Sequence, residues 1–300
     1  MAVNTKTAPP DGQKCLAELS VKEGLLRLFA LRREQLCRDY ARFLQQENEE
    51  DEEALHDLRV SLRRLHSLLR NYKGAIAIDK SLTKQLHTLR QQSNAARDLE
   101  VFVAQLTRLF PQQSQLIHPL QQQRILARRQ LRRDLPRLWE TLLPLLQQPP
   151  AVTPGKRGEH TLGELSARLG LKQLRRMKKG LRSLHRHWDE ALLHRLRIRG
   201  KQLRYLLEPF AGESELDDAL NALKYFQDDL GDYRDQQLLL QHLASWQAED
   251  ESHTVTTTLI EALPAQLQQQ KKRAKHYRKH RTQKNLLSAL RVALRRLSRK

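Results

Sequence analysis

Leucine and other apolar side chains recur at intervals of three and four along most of the 300-residue chain, and no stretch alternates apolar with polar residues as a half-buried strand does. The spacing predicts helices over 14–46, 51–72, 76–93, 97–110, 112–147, 163–187, 189–208, 213–230, 232–249 and 253–298. Glycines and prolines, eleven of each, gather at breaks such as Gly74, Pro149-Pro150, Pro154-Gly155, Pro209 and Gly212. Pro136, Pro144 and Pro264 fall within predicted helices, where the missing N–H and the ring are expected to start, kink or break them. The stretch "QQPPAVTPGKRGEHTLG", 147–163, has a linker's composition. The expected fold class is all-α. Residues 1–13 are expected to form a flexible tail and 14–300 one domain, whose halves 14–147 and 163–300 are joined by the linker 148–162.

The halves resemble each other. Aligning "HDLRVSLRRLHSLLR" (56–70) with "HRLRIRGKQLRYLLE" (194–208) matches His56 with His194, Leu58 with Leu196, Arg59 with Arg197, Leu65 with Leu203, Leu68 with Leu206 and Leu69 with Leu207. Arg63 and Lys201 form a conservative pair. Downstream, "LRQQSNAARDLEVFVAQL" and "FQDDLGDYRDQQLLLQHL" place Arg97-Asp98 and Arg234-Asp235 at nearly the same offset. An internal duplication is the expected organisation.

The polar residues of 56–70 occupy an unusual place. At about 100° per residue, Leu55, Leu58, Leu62, Leu65 and Leu69 make one apolar face, while His56, Arg59, Arg63, His66 and Arg70 form a stripe directly beside it. His194, Arg197, Lys201 and Arg204 repeat the stripe in the second half, and Lys172, Arg175, Lys179, Arg182 and Arg186 form another on the preceding helix. Cations kept for solubility belong opposite the core. Set beside it, they lose hydration and repel one another across a poorly screened medium. An anion filling such a seam relieves both penalties, and Asp98, Asp235 and Glu208 are too few to neutralise the whole set.

Charge and composition narrow the partner. Lys and Arg number 54 against 34 Asp and Glu, a net +20, and aromatic residues make up only 5%. The balance points to a polyanion; the scarcity of aromatics argues against base stacking. Two cysteines, Cys15 and Cys37, without C-x-x-C spacing fit a reducing compartment. No secretory leader is apparent and no run of eighteen apolar residues occurs, so a soluble, cytoplasmic protein without membrane contact is expected.

With the stripes in view, "LHDLRVSLRRLHSLLR" and "LHRLRIRGKQLRYLLEPF", together with "LRQQSNAARDLEVFV" and "FQDDLGDYRD", closely resemble the two halves of CHAD domains, the conserved histidine α-helical domain family. The likeness covers roughly 15–295. It rests on His-x-x-Arg-[Val/Ile]-x-x-[Arg/Lys] occurring twice in register, with Gln202 and His66 standing where the motif often has Arg. The resemblance implies two pseudo-symmetric four-helix bundles around a basic central groove or pore that binds inorganic polyphosphate, in proteins often associated with polyphosphate granules. The E-x-E-x-K strand of the triphosphatase domain fused to some members is not found here, which suggests a stand-alone domain.

Polyphosphate suits the residues, because a polymer of closely spaced charges without bases calls for repeated Arg and Lys contacts and little aromatic surface. The candidate binding residues are His56, Arg59, Arg63, Arg64, His66, Arg70, Arg128, Arg132, Lys172, Arg175, Lys179, Arg182, His194, Arg197, Lys201, Arg204 and Tyr205. Arg59, Arg63, Arg197, Lys201 and Arg204 rank first. His56 and His194 admit three roles: phosphate contact, a structural hydrogen bond, or metal ligation, the last disfavoured by the shortage of converging ligands. Arg97-Asp98, Arg234-Asp235 and Glu208 read as ion pairs, the two dipeptides also as helix caps. His276 and His280 read as a polyanion-facing or solvated face, and the acidic run 47–55 as a solvated turn before a helix. No catalytic residue, metal or cofactor is expected. The alternatives are a metal-dependent phosphohydrolase acting on polyphosphate, for which clustered carboxylates are wanting, and a nucleic-acid binder, favoured by charge alone and expected to be non-specific. Oligomeric state is left open.

Overall fold

A computed structural model describes residues 15–45, 53–77, 79–111, 114–153, 160–249 and 254–300. Ten α-helices account for most of them: α1 (Val21–Gln45), α2 (Glu53–Asn71), α3 (Lys80–Gln92), α4 (Asn94–Leu109), α5 (Ser114–Gln147), α6 (Leu162–Arg186), α7 (Glu190–Leu207), α8 (Ser214–Glu249), α9 (Thr254–Lys275) and α10 (His280–Leu297). The fold is all-α. Its only extended pairings among the described residues are the isolated bridges Ser20 to Thr161 and Ile76 to Val152. No described helix is long and apolar enough to cross a membrane.

Two compact units divide the chain, one of residues 26–153, the other of residues 1–25 with 154–300. The division differs from the expected halves at the N-terminal end, because residues just before and at the start of α1 bond to the head of α6: the Leu162 and Gly163 amides donate to the carbonyls of Leu19 and Ala17. The described ends of the expected linker are also tied down. Thr153 and Ala77 exchange backbone hydrogen bonds with Ala75 and Ala151, and Thr161 opens α6 with a capping box to Glu164. Residues 154–159 lie outside the described set, as do 46–52, which hold most of the acidic run.

Among the described residues five helices fall wholly or mainly in each unit where the resemblance implied four, because one long rod is interrupted in each. In the unit of residues 26–153 the third rod breaks at Ser93 into α3 and α4. In the other unit the third rod, α8, runs unbroken through Gly231, where a break was expected, and the fourth parts into α9 and α10 around a 3-10 turn at His276–Arg278. There α6 lies beside α7, α7 beside α8, α8 beside α10, and α10 beside α6, closing a four-membered ring to which α9 adds along α8. In the first unit α2 lies beside α3, and α3 and α4 lie along α5. α1 reaches α2 through Arg42 and Asp57 (2.6 Å) and α5 through the stacked rings of Tyr40 and Trp139 (3.8 Å). Pro119, Pro136 and Pro144 are carried inside α5 and Pro264 inside α9.

The leucine face of α2 is buried throughout, Leu55, Leu58, Leu62, Leu65 and Leu69 included. Each such side chain contributes about 1.5–3 kcal/mol of hydrophobic stabilisation. The break at Ser93 is held from the same helix: Arg59 Nη1 donates to the Arg90 carbonyl (3.1 Å) and to Ser93 Oγ (2.5 Å), and Nη2 donates to Asn94 Oδ1 (2.9 Å). Arg59 is only 9% exposed and Ser93 fully buried, so these bonds replace water for the carbonyl that the break leaves open.

Two backbone tests follow. A Cβ at Gly163 would stand 2.9 Å from the Leu297 carbonyl oxygen and 3.0 Å from that of Ala17, atoms fixed in the backbone, whereas a Cβ at Gly231 would meet only the Arg197 guanidinium at 3.6 Å. Gly163→Ala is therefore expected to lower unfolding free energy by about 1–3 kcal/mol, and Gly231→Ala to raise it by about 0.5–1 kcal/mol through helix propensity, both read from denaturant melts. Arg59→Met should cost about 3 kcal/mol and speed amide exchange over residues 90–97; unchanged exchange there would show that the break is held by other groups.

Candidate anion-binding site

On α2 the basic stripe lies at the edge of the core. His56, Arg63, Arg64 and His66 are half-buried, Arg59 is buried, and Arg70 is exposed at the end. The groups facing the stripe are themselves basic. Burial and the nearby Arg97, Arg63 and Arg59 hold the His56 imidazole down at about 4, with Asp57 opposing. His66 is lowered by burial and by Arg90, Arg70 and His87. Even the Arg59 guanidinium is brought down to about 10, by burial first and then by Arg63, against which Asp98 acts. α3 and the first turn of α4 thus bring Arg90, His87 and Arg97 to a stripe already carrying His56, Arg63, His66 and Arg70.

α7 has a corresponding set. His194 is exposed, and Arg197, Lys201, Arg204 and Tyr205 are half-buried. Burial, Arg234, Arg197 and Lys201 lower the His194 imidazole. The correspondence is residue for residue: His56 has Arg97, Arg63 and Arg59 around it, and His194 has Arg234, Lys201 and Arg197. Asp98 acts on Arg59 as Asp235 does on Arg197, the latter at 4.0 Å. Here the cations border a cleft of about 320 Å³ between α7 and α8. His194, Arg197 and Arg234 line one part and Glu190, Tyr233 and Gln237 another. Glu190 accepts hydrogen bonds from the Tyr233 hydroxyl (2.5 Å) and the Gln237 amide (2.8 Å), which keep its carboxyl below the usual range. Arg197 Nε is buried without a hydrogen-bond acceptor.

Several expectations change. The two Arg-Asp dipeptides do not cap helices: α4 begins at Asn94, and Arg234-Asp235 lies deep within α8. Arg97 pairs with Glu100 (2.9 Å). The dipeptide arginines belong with the histidines, a placement invisible in sequence because it depends on α4 and α8 packing across the stripe. Arg128 is fully buried, its Nε 3.6 Å from Glu100, and Arg132 donates to the Phe43 carbonyl (3.3 Å) while its guanidinium lies over the Phe43 ring. Both are used inside their unit instead of walling a channel. Arg59 is likewise committed to the α3–α4 break. Arg204 lies 3.1 Å from Glu208 and over the Tyr205 ring. Lys172, Arg175, Lys179 and Arg182 on α6 are exposed, not tucked against the core as their spacing suggested. His276 Nε2 lies 2.9 Å from Thr282 Oγ1, and no group of three or more His, Cys, Asp or Glu suited to a metal occurs among the described residues.

The fold and these clusters can be set beside known proteins. Over 97% of its length the chain matches 97% of the crystal structure of the CHAD domain from the plant Ricinus communis, with a TM-score of 0.69 and 22% identity. PptA from Streptomyces chartreusis is matched over its whole length by 94% of this chain, at a TM-score of 0.56 and 16% identity. At such identities the likeness speaks to the fold. No curated protein matches by sequence. The model of the CHAD domain family matches residues 29–244, a span that takes in both His-x-x-Arg helices and both Arg-Asp dipeptides. The chain belongs to the CHAD domain family.

Proposed function

We propose that the protein is a non-catalytic, cytoplasmic binder of inorganic polyphosphate, held through the His56 and His194 clusters, and that it works at polyphosphate granules. The observation that carries this reading is the recurrence in both units of one cationic set: a histidine, a basic residue seven positions after it, and an arginine delivered from the next rod. The matched sets also support an origin by internal duplication. Groups of like charge held close at the border of a core raise the free energy of the empty site, and a multivalent anion removes that repulsion while releasing its counterions. The lining of the α7–α8 cleft supports an inorganic ligand over a nucleotide, since it has no Phe or Trp and its Tyr233 is engaged by Glu190 through the hydroxyl and by Trp188 through the ring (5.9 Å).

The reading is tested by calorimetry with polyphosphate, DNA and RNA across a salt series. Polyphosphate affinity is expected to exceed that for either nucleic acid at equal salt and to fall steeply as salt rises. Arg63→Glu combined with Lys201→Glu should weaken it at least a hundredfold, taking about 1.5–3 kcal/mol for each charge-assisted contact, while Arg108→Glu, an exposed change on α4, should have a small effect. Equal losses from the two variants would reduce the site to diffuse attraction, preferential nucleic-acid binding would overturn the ligand, and phosphate release with magnesium would establish an enzyme.

Proton linkage gives a second test. A bound polyanion opposes the cationic field that depresses His56 and His194, so their pKa rises on binding. Binding then takes up protons, and affinity increases as pH falls from about 7, near the ordinary histidine value, to about 4, the value of free His56. Titrations at pH 6 in buffers of different ionisation enthalpy should show net uptake, lost in His56→Asn with His194→Asn. Net release would mean that the histidines lie outside the ligand's field.

A further inference from the structure

The ring of α6, α7, α8 and α10 has a second basic seam. Between α6 and α10 lies a cleft of about 350 Å³, bordered by Lys178 and Arg182 from one helix and by His280, Lys284 and Arg291 from the other. Gln283, Leu287 and Ser288 complete its lining, so it contains neither a carboxylate nor a Phe, Tyr or Trp ring. The two ridges follow from helical spacing: Arg182 stands four residues after Lys178, Lys284 four after His280, and Arg291 seven after Lys284. In the ring, the α6–α10 seam is opposite the α7–α8 seam that holds His194, so the two clefts do not share a wall.

Buried bonds between α10's entrance and α6 fix the cleft's width at one end. Gln283 Nε2 donates to the carbonyls of Leu181 (2.8 Å) and Tyr277 (2.7 Å). Arg278 extends the clamp, donating from Nε to the Leu184 carbonyl (3.2 Å) and from Nη2 to that of His185 (3.1 Å). The cations therefore sit on a held frame, which lowers the ordering cost of binding. A concave surface of one sign concentrates field and counter-ions.

We propose that this α6–α10 cleft is a second anion-binding site that takes a linear phosphate oligomer, an assignment resting on the ligand class inferred above for the His194 cluster. His280 to Arg291 covers about 16 Å at 1.5 Å per residue, more than a single tetrahedral anion spans, and without Phe, Tyr or Trp the lining lacks the large ring platforms that nucleobases favour. A short oligomer occupies one seam at a time. A long chain passing around the bundle engages both and gains affinity through effective concentration.

The experiment is calorimetry of the full chain with tripolyphosphate and with long-chain polyphosphate, beside Lys284→Gln/Arg291→Gln and Arg197→Glu/Arg234→Glu variants whose helix content is checked by circular dichroism. Lys284 and Arg291 are exposed, so their neutralisation is expected to leave the fold intact. The expected result is loss of one tripolyphosphate equivalent in each variant and, for the α6–α10 variant, about a tenfold weaker long-chain affinity. On the wild-type protein, tripolyphosphate should protect Lys178 and Lys284 from acetylation several-fold. Unchanged stoichiometry in Lys284→Gln/Arg291→Gln, or equal acetylation with and without ligand, overturns the second site while leaving the His194 cluster standing. A wild-type protein that binds no tripolyphosphate and no long chain overturns both readings.

Discussion

Like charges held at the edge of an apolar core are the constraint from which the rest of this structure follows. The leucine face of α2 must be buried, and burying it carries His56, Arg59 and Arg63 to the margin of the low-dielectric interior, where each loses water and feels the others. Such a stripe has two ways to lower its free energy. It can find acceptors within the protein, or it can stay uncompensated until a multivalent anion arrives.

Matched positions differ in how far they follow the first. Arg59 spends its guanidinium on the carbonyl and side chains exposed where α3 ends and α4 begins. Its counterpart Arg197 faces α8, which has no break at that level, so no backbone carbonyl is left open for it and Asp235 remains at 4.0 Å. One interruption in one helix thus separates a structural arginine from one that borders a cleft. Arg128, Arg132 and Arg204 also took the internal route, through Glu100, the Phe43 carbonyl and Glu208. The exposed α6 ridge did not, and across it α10 presents a second row of the same sign.

The histidines differ for the same reason. His56 is half-buried among three arginines and His194 is exposed beside two arginines and a lysine, so the imidazole of the first unit feels the stronger depression. A neutral imidazole among cations offers a hydrogen bond without adding to the repulsion, and it gains a charge once an anion offsets the field. The proposed anion binding would therefore carry proton uptake with it, as two readings of one electrostatic balance.

Periodicity alone determined the all-α class, the core face of α2, the registered His-x-x-Arg helices and the presence of basic ridges, because a helix's own geometry fixes which residues share a face. Helix continuity was less legible. Gly231 was expected to interrupt a rod and does not, since in α8 its neighbours keep both flanks helical; the actual interruption at Ser93 is sustained by Arg59, 34 residues away in sequence. Which cations meet was decided only by tertiary packing. Arg97 and Arg234 join the histidines, Arg128 and Arg132 turn inward, and Lys284 and Arg291 line a cleft with Arg182, because neighbouring rods bring together residues whose separation along the chain carries no record of their distance in space.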